Sequence, residues 1–174
     1  MRHEYVLAGT GGQGLVMMGI LLGQAAAEEG YNVAQTQSYG IATRGGISFS
    51  EVVISDEEIL YPKTVAPDFI MTLTEETYLK FRKMYPECRI FVDQDEVKPH
   101  PEDTAIVRVP MSSYCRSVNN MRVLNLLAIG LVAGATGLIG TEVMETIIRR
   151  KFPKAYEANV KALHKGMEFA QQAG

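Results

Sequence analysis

Three observations make this chain an α/β domain on a mostly parallel, open sheet. Short apolar runs alternate with stretches of helical periodicity, a glycine-rich turn joins the first run to the first helix, and helical spacing fills the chain after residue 112. Strands alternating with helices pack as parallel neighbours covered on both faces, and the fixed hand of their crossovers narrows the topology to a Rossmann-like arrangement. The expectation is one domain, residues 1–174, with helices on both faces and a helical C-terminal third.

The elements follow in order. Residues 4–8 read as a strand ending at Gly9, and residues 15–29 carry apolar side chains at helical spacing until Gly30 stops them. Gly19 and Gly23 lie four apart on one face of that helix, which predicts a close approach to a strand or to another subunit. Residues 32–37 and 47–54 are the next strands, separated by a loop over 38–46. After a polar turn at 55–58 and a strand at 69–73, Thr74 reads as an N-cap with Glu75 and Glu76 in the first helical turn, where the helix dipole favours carboxylates. That helix ends near Tyr85, because Pro86 cannot continue it. Residues 89–93 and 105–109 are two more strands. Three helical pieces are predicted from 112 onward, broken at 137–140 and at Pro153. The apolar stretch 123–139 is shorter than the roughly 20 residues a membrane span needs and carries Asn125 and Thr136, so it reads as a buried helix.

Composition removes several classes of function. Apolar residues make up 47% and charged residues 21%, the balance of a folded globular chain. A net charge of −3 gives no broad attraction to nucleic acid or to anionic lipid, so neither is an expected partner. Cys88 and Cys115 match no Cys-x-x-Cys spacing, which predicts reduced thiols in a cytoplasmic protein and no iron–sulfur cluster held by this chain alone. The first five residues run straight into a strand without the pattern of a signal peptide. No two histidines stand at metal spacing, and Asp93-Gln94-Asp95-Glu96 lacks the glycine of a calcium loop and reads as a solvated turn. No metal ligand and no catalytic residue is expected within the chain.

The chemistry concentrates in two loops. Gly9, Gly11, Gly12, Gln13 and Gly14 belong to a G-x-G-x-x-G turn that follows a strand and opens a helix, where free N–H groups and the dipole suit an anion. A dinucleotide site also needs an acid about 20 residues on, at the end of the second strand. Here that strand ends Gln35-Thr36-Gln37, and no acid occurs between Gly30 and Gly46. The second loop supplies Tyr39, Gly40, Arg44, Gly45 and Gly46: a ring with a hydroxyl, a guanidinium able to grip phosphate or carboxylate bidentately, and backbone donors. In a doubly wound sheet both loops leave the carboxyl rim, where ligands bind. The readings left open are a ligand's anionic group, a tight turn with no ligand, and an interface ion pair for Arg44. Asn119 and Asn120 either cap the apolar helix or meet a ligand or partner.

These two segments, with Ser50-Glu-Val-Val-Ile-Ser55, Tyr61-Pro62, Pro67-Asp68, Asn119-Asn120-Met121 and Glu157-Ala-Asn159, resemble the gamma subunit of 2-oxoacid:ferredoxin oxidoreductases. The resemblance spans essentially the whole chain and is strongest to the 2-oxoglutarate branch. It implies a multi-subunit enzyme that carries out coenzyme A-acylating oxidative decarboxylation with thiamine diphosphate, Mg²⁺ and iron–sulfur clusters. It further implies that these groups sit chiefly in alpha, beta and delta (ferredoxin-like) subunits, that ferredoxin accepts the electrons, and that this chain is not active alone. Its own expected part is to complete the coenzyme A or cofactor pocket with the two loops. The rival readings are a stand-alone NAD(P)-dependent oxidoreductase and an assembly subunit without ligand, and the isolated chain is open to forming a homodimer.

Overall fold

The computed structural model describes residues 1–39 and 46–173. Its strands are β1 (Arg2–Thr10), β2 (Asn32–Tyr39), β3 (Ile47–Ser55), β4 (Phe69–Thr72), β5 (Ile90–Asp93) and β6 (Ile106–Val109). The helices are α1 (Leu15–Glu28), α2 (Glu75–Met84), α3 (Met111–Ser117), α4 (Leu124–Thr136), α5 (Thr141–Lys151) and α6 (Tyr156–Gln172). All six expected strands are present in one sheet of order β2-β3-β1-β4-β5-β6.

The sheet is mixed. β1, β4, β5 and β6 are parallel, whereas β3 runs antiparallel to both β1 and β2 and lies between them. A parallel return needs a crossover of about a dozen residues or more. The segment 40–46 is too short for that, so β2 folds back on β3 as a hairpin. β2 and β1 therefore point the same way, one strand apart.

Strand alternation divides the core. Tyr5, Leu7, Phe69, Met71, Phe91, Val107 and Val109 face α1 and α3 to α6, while Val6, Ala8, Ile70, Ile90 and Val92 face Tyr78 and Phe81 of α2. Both faces carry helix, five against one. The C-terminal third holds four helices rather than the expected three pieces. The extra break follows Ser117, where Asn119 adopts a positive φ of 50° that no helix continues. Asn120 then caps the next turn by accepting from the Arg122 N–H at 3.1 Å.

Close approach is glycine's work in two places. A Cβ at Gly19 would overlap Gln35 and Ser50, which places α1 against β2 and β3 and assigns this glycine to strand packing. A Cβ at Gly130 of α4 would run into the Leu163 carbonyl of α6, and one at Gly166 into the Leu127 carbonyl, so these two helices touch backbone to backbone. Among the described residues no helix is long and apolar enough to cross a membrane.

At the amino rim, the connection between β3 and β4 is pinned by charge. Glu4 is 3% exposed, and its carboxylate accepts from the N–H groups of Val65 (2.5 Å) and Ala66 (2.7 Å) and from Arg2 (2.7 Å). Burial alone would raise this carboxyl, but those donors hold it below its ordinary value. Arg2 also donates to the Tyr61 and Lys63 carbonyls, each at 3.0 Å, and Glu51 accepts from the Thr64 hydroxyl.

Candidate functional site

The glycine turn is held by its own side chain. Gln13 Oε1 accepts from the Thr10 N–H at 2.7 Å, and the Gln13 N–H donates to the Thr10 carbonyl at 3.3 Å. A Cβ at Gly9 would occupy the place of that Gln13 amide, so the first glycine of the motif makes room for the brace. Gly12 and Gly14 have φ of 90° and 76°, the left-handed region that favours glycine. Gly14 is the N-cap of α1; it brings no side chain to cap the helix, and the first turn holds no acidic residue. The first N–H groups of α1 therefore remain available to an outside acceptor.

The turn borders a cavity of about 550 Å³ on the carboxyl rim. Gly12, Gln13 and Gly14 form one wall; Met121, Arg122, Leu124 and Asn125 form another; Ser112 and Glu96 close the far side. The Asn125 amide lies directly over Gly14, where a Cβ would overlap it. Glu96 is met by Arg116 at 3.6 Å, which offsets its charge. Arg122, an exposed guanidinium, stands on the same wall as Asn125.

The far side is built on a buried acid. Asp93 at the end of β5 is 1% exposed and accepts from the Ser112 hydroxyl at 2.5 Å and the Ser112 N–H at 3.2 Å. Asp95 in turn accepts from the Ser113 N–H at 2.8 Å and pairs with Arg116 at 3.2 Å. The expected solvated turn at 93–96 is thus a dock for the start of α3. Burial raises the Asp93 carboxyl above its ordinary value despite the Ser112 donors. Burial likewise raises Cys88 and pushes Cys115 up to about 11; both cysteines are free. Among the described residues no three His, Cys, Asp or Glu side chains group as a metal site.

Of the sequence-predicted residues, Gly12, Gln13 and Gly14 line the cavity; Gly9 makes room for the Gln13 brace, and Gly11 is exposed with open space around it. The second loop leaves from the same rim. Ser48 of β3 pairs with Gly9 on one side and with Tyr39 on the other, so the two bends start about 10 Å apart, two strand spacings. Gly46 lies just before Ile47, the partner of Thr10. Gly40, Arg44, Gly45 and the Tyr39 side chain lie outside the described residues. Arg122, Asn125 and Ser112 are the wall that sequence reasoning missed; only the nearby Asn119-Asn120-Met121 motif pointed toward it.

Topology also weakens the dinucleotide reading. The strand whose end carries the ribose acid in such sites neighbours β1, but here β3 intervenes and Gln35 is bonded to Ser50 at 2.9 Å and to the Val16 carbonyl at 3.1 Å.

The family model for pyruvate ferredoxin/flavodoxin oxidoreductase matches residues 4–169. The chain belongs to that family. It is 37% identical, over 99% of its length and 96% of the relative's, to the 2-oxoglutarate synthase subunit KorC of Methanocaldococcus jannaschii. A keto/oxoacid ferredoxin oxidoreductase gamma subunit from Geobacter sulfurreducens superimposes with a TM-score of 0.85 at 31% identity, covering 99% of this chain and 98% of that one. The 2-oxoglutarate:ferredoxin oxidoreductase of Magnetococcus marinus, solved with 2-oxoglutarate, coenzyme A and succinyl-CoA, shares the fold with a TM-score of 0.87 at 20% identity. Its match covers 99% of this chain but 32% of the longer one. Within the family the chain is of the gamma type, a subunit of a multi-subunit oxoacid ferredoxin oxidoreductase.

Proposed function

We propose that this gamma subunit serves a 2-oxoglutarate:ferredoxin oxidoreductase and that its carboxyl-rim cavity receives phosphate groups of coenzyme A. The observation that carries the reading is the convergence of an uncapped helix start, two left-handed glycines, Arg122 and Asn125 on one cavity. Backbone N–H groups at a helix start donate to a phosphate without base-specific or sugar-specific recognition, and the Arg122 guanidinium adds a charge-assisted donor pair. Relatives named as 2-oxoglutarate synthase subunits support the choice of oxoacid.

The residues present hold and orient; they do not perform the bond chemistry. The hydroxyl proton of Ser112 is engaged by Asp93, and no cavity-lining residue is a histidine or a cysteine. The two cysteines stand apart and the described residues hold no group of metal ligands, so they do not fit an iron–sulfur cluster or Mg²⁺. In this reading the alpha, beta and delta subunits hold them, supply the decarboxylation and pass electrons to ferredoxin. We extend the proposal to Tyr39, Arg44 and Gly46 on the ground that their loop leaves from the same rim. Free, protonated thiols support a cytoplasmic enzyme.

The test is calorimetric titration of coenzyme A into the assembled enzyme carrying Arg122→Ala or Arg44→Ala. A lost charge-assisted bond of about 1.5–3 kcal/mol weakens coenzyme A binding roughly 10- to 100-fold, with 2-oxoglutarate affinity unchanged. Wild-type coenzyme A affinity in both variants would overturn the assignment.

A further inference from the structure

The two edges of the sheet are built differently. β6 is four residues long, carries the exposed Arg108 and is followed at once by Pro110, and the end of α6 lies beside it, with Phe169 and Gln172 on one small recess with Val107 and Arg108. A short strand, a charge, a proline and a cover are the devices that keep an edge from pairing with another chain. β2 has none of them. It runs eight residues without a charged side chain or a proline, and it pairs with β3 one for one, from Asn32 opposite Ser55 to Tyr39 opposite Ser48, with no bulge. On its outer side it has no neighbour among the described residues, so every second residue turns its N–H and C=O away from the sheet.

Helix α1 adds an apolar ridge above this edge. The flank of the helix that lies over β2 is marked by the Val16 carbonyl, which accepts from Gln35 at 3.1 Å, and by Gly23, where a Cβ would stand 3.0 Å from Val33. Ile20 and Ala27, four residues beyond Val16 and Gly23, share that flank and are exposed, Ile20 at 39%.

We propose that β2 pairs antiparallel with β2 of a second copy of this chain, joining the two sheets into one and setting the Ile20 ridges of the two α1 helices against each other. The occupant follows from self-complementarity. A two-fold axis perpendicular to the sheet keeps both α1 helices on one face. Centred on Gln35, it sets Asn32 opposite Ser38, Val33 opposite Gln37 and Ala34 opposite Thr36 of the second copy, and each pair shares a face of the sheet. No charge meets a like charge in that register, whereas a charged partner strand would find no counter-charge on β2. Glu51, across from Thr36, and Glu28, at the end of α1, are already engaged, the first by Thr36 and Thr64 and the second by Arg150. The edge is about 27 Å long and the α1 ridge forms a second layer about 10 Å above it, so a copy laid along both covers an area of the order of the roughly 800 Å² per partner of a stable dimer.

The test is sedimentation of the full chain over a range of concentrations, with Ala34→Lys on the edge, Ile20→Glu on the ridge and Leu79→Glu on α2 as control, each checked by thermal melting. The wild-type chain is expected to dimerise, each of the first two variants to weaken dimerisation about 30-fold or more, and the control to dimerise as the wild type does. Amide exchange read on the same samples should slow along β2 as the dimer fills. A wild-type chain that stays monomeric through the micromolar range would overturn the proposal, as would a dimer that both variants leave intact. Loss of the dimer in Ile20→Glu alone, with β2 amides exchanging as in the monomer, also overturns it, because the contact is then between helices only. So does a monomeric chain whose β2 amides become protected in the complex with its sister subunits, since the occupant is then a strand of another subunit.

Discussion

At the carboxyl rim the turn between β1 and α1 takes its shape from side chains that are absent, whereas at the amino rim the connection between β3 and β4 takes its shape from side chains that are buried. Gly9 and Gly14 leave room for the Gln13 brace and the Asn125 amide, and Gly12 and Gly14 supply the left-handed backbone. Arg2, Glu4 and Glu51 instead fill the space beneath their loop and satisfy its backbone. The first keeps the N–H groups at the helix start open; the second ties the Thr64, Val65 and Ala66 N–H groups to buried carboxylates.

Breaking the amino rim has the largest expected effect. Glu4→Ala strands the Val65 and Ala66 N–H groups and the Arg2 guanidinium, and we expect a loss of about 3 kcal/mol in urea unfolding together with new tryptic cleavage at Lys63. Unaltered coenzyme A affinity in that variant, measured where it remains folded, shows that the rims act separately. Next in size is Gly14→Ala, which forces a Cβ into a left-handed backbone and against Asn125. About 2 kcal/mol of stability and at least a tenfold share of coenzyme A affinity should be lost, read by thermal melting and titration.

The smallest effect contrasts the two buried acids. Glu4 titrates below its ordinary 4.5 in the fold, so its stabilisation is complete above that value and disappears as pH falls through the lowered one. Asp93 titrates above its ordinary 3.8, so the fold binds its proton more tightly than the unfolded chain does; stability declines as pH rises from 3.8 through the raised value. Asp93→Asn should therefore change stability at pH 7 by less than about 1 kcal/mol and flatten that decline, while Glu4→Gln steepens nothing in acid and costs stability at neutral pH. Identical pH profiles for the two variants would remove the contrast.

The strands were legible because each is a short apolar run bounded by turn residues, but the sheet order was not: the short 40–46 connection explains the β2–β3 pairing without fixing which of the two lies against β1. Thr74 was legible as a cap because its partner, the Thr77 N–H, is local. What escaped is non-local. Asp93 reads as a solvated acid until Ser112, 19 residues away, is brought onto it. Arg122 and Asn125 carry no periodic signal linking them to Gly14, and only the folding of α4 beside α1 unites the two walls.

The backbone contact between α4 and α6 has a mechanical consequence. With Gly130 and Gly166 interlocked and no side chain between them to roll over, α4 cannot slide or rotate along its neighbour without carbonyl collision. Asn125 opens that helix and Arg122 lies in the turn just before it, so both donors ride on a strut clamped at its middle, and the cavity wall they form keeps its shape whatever enters.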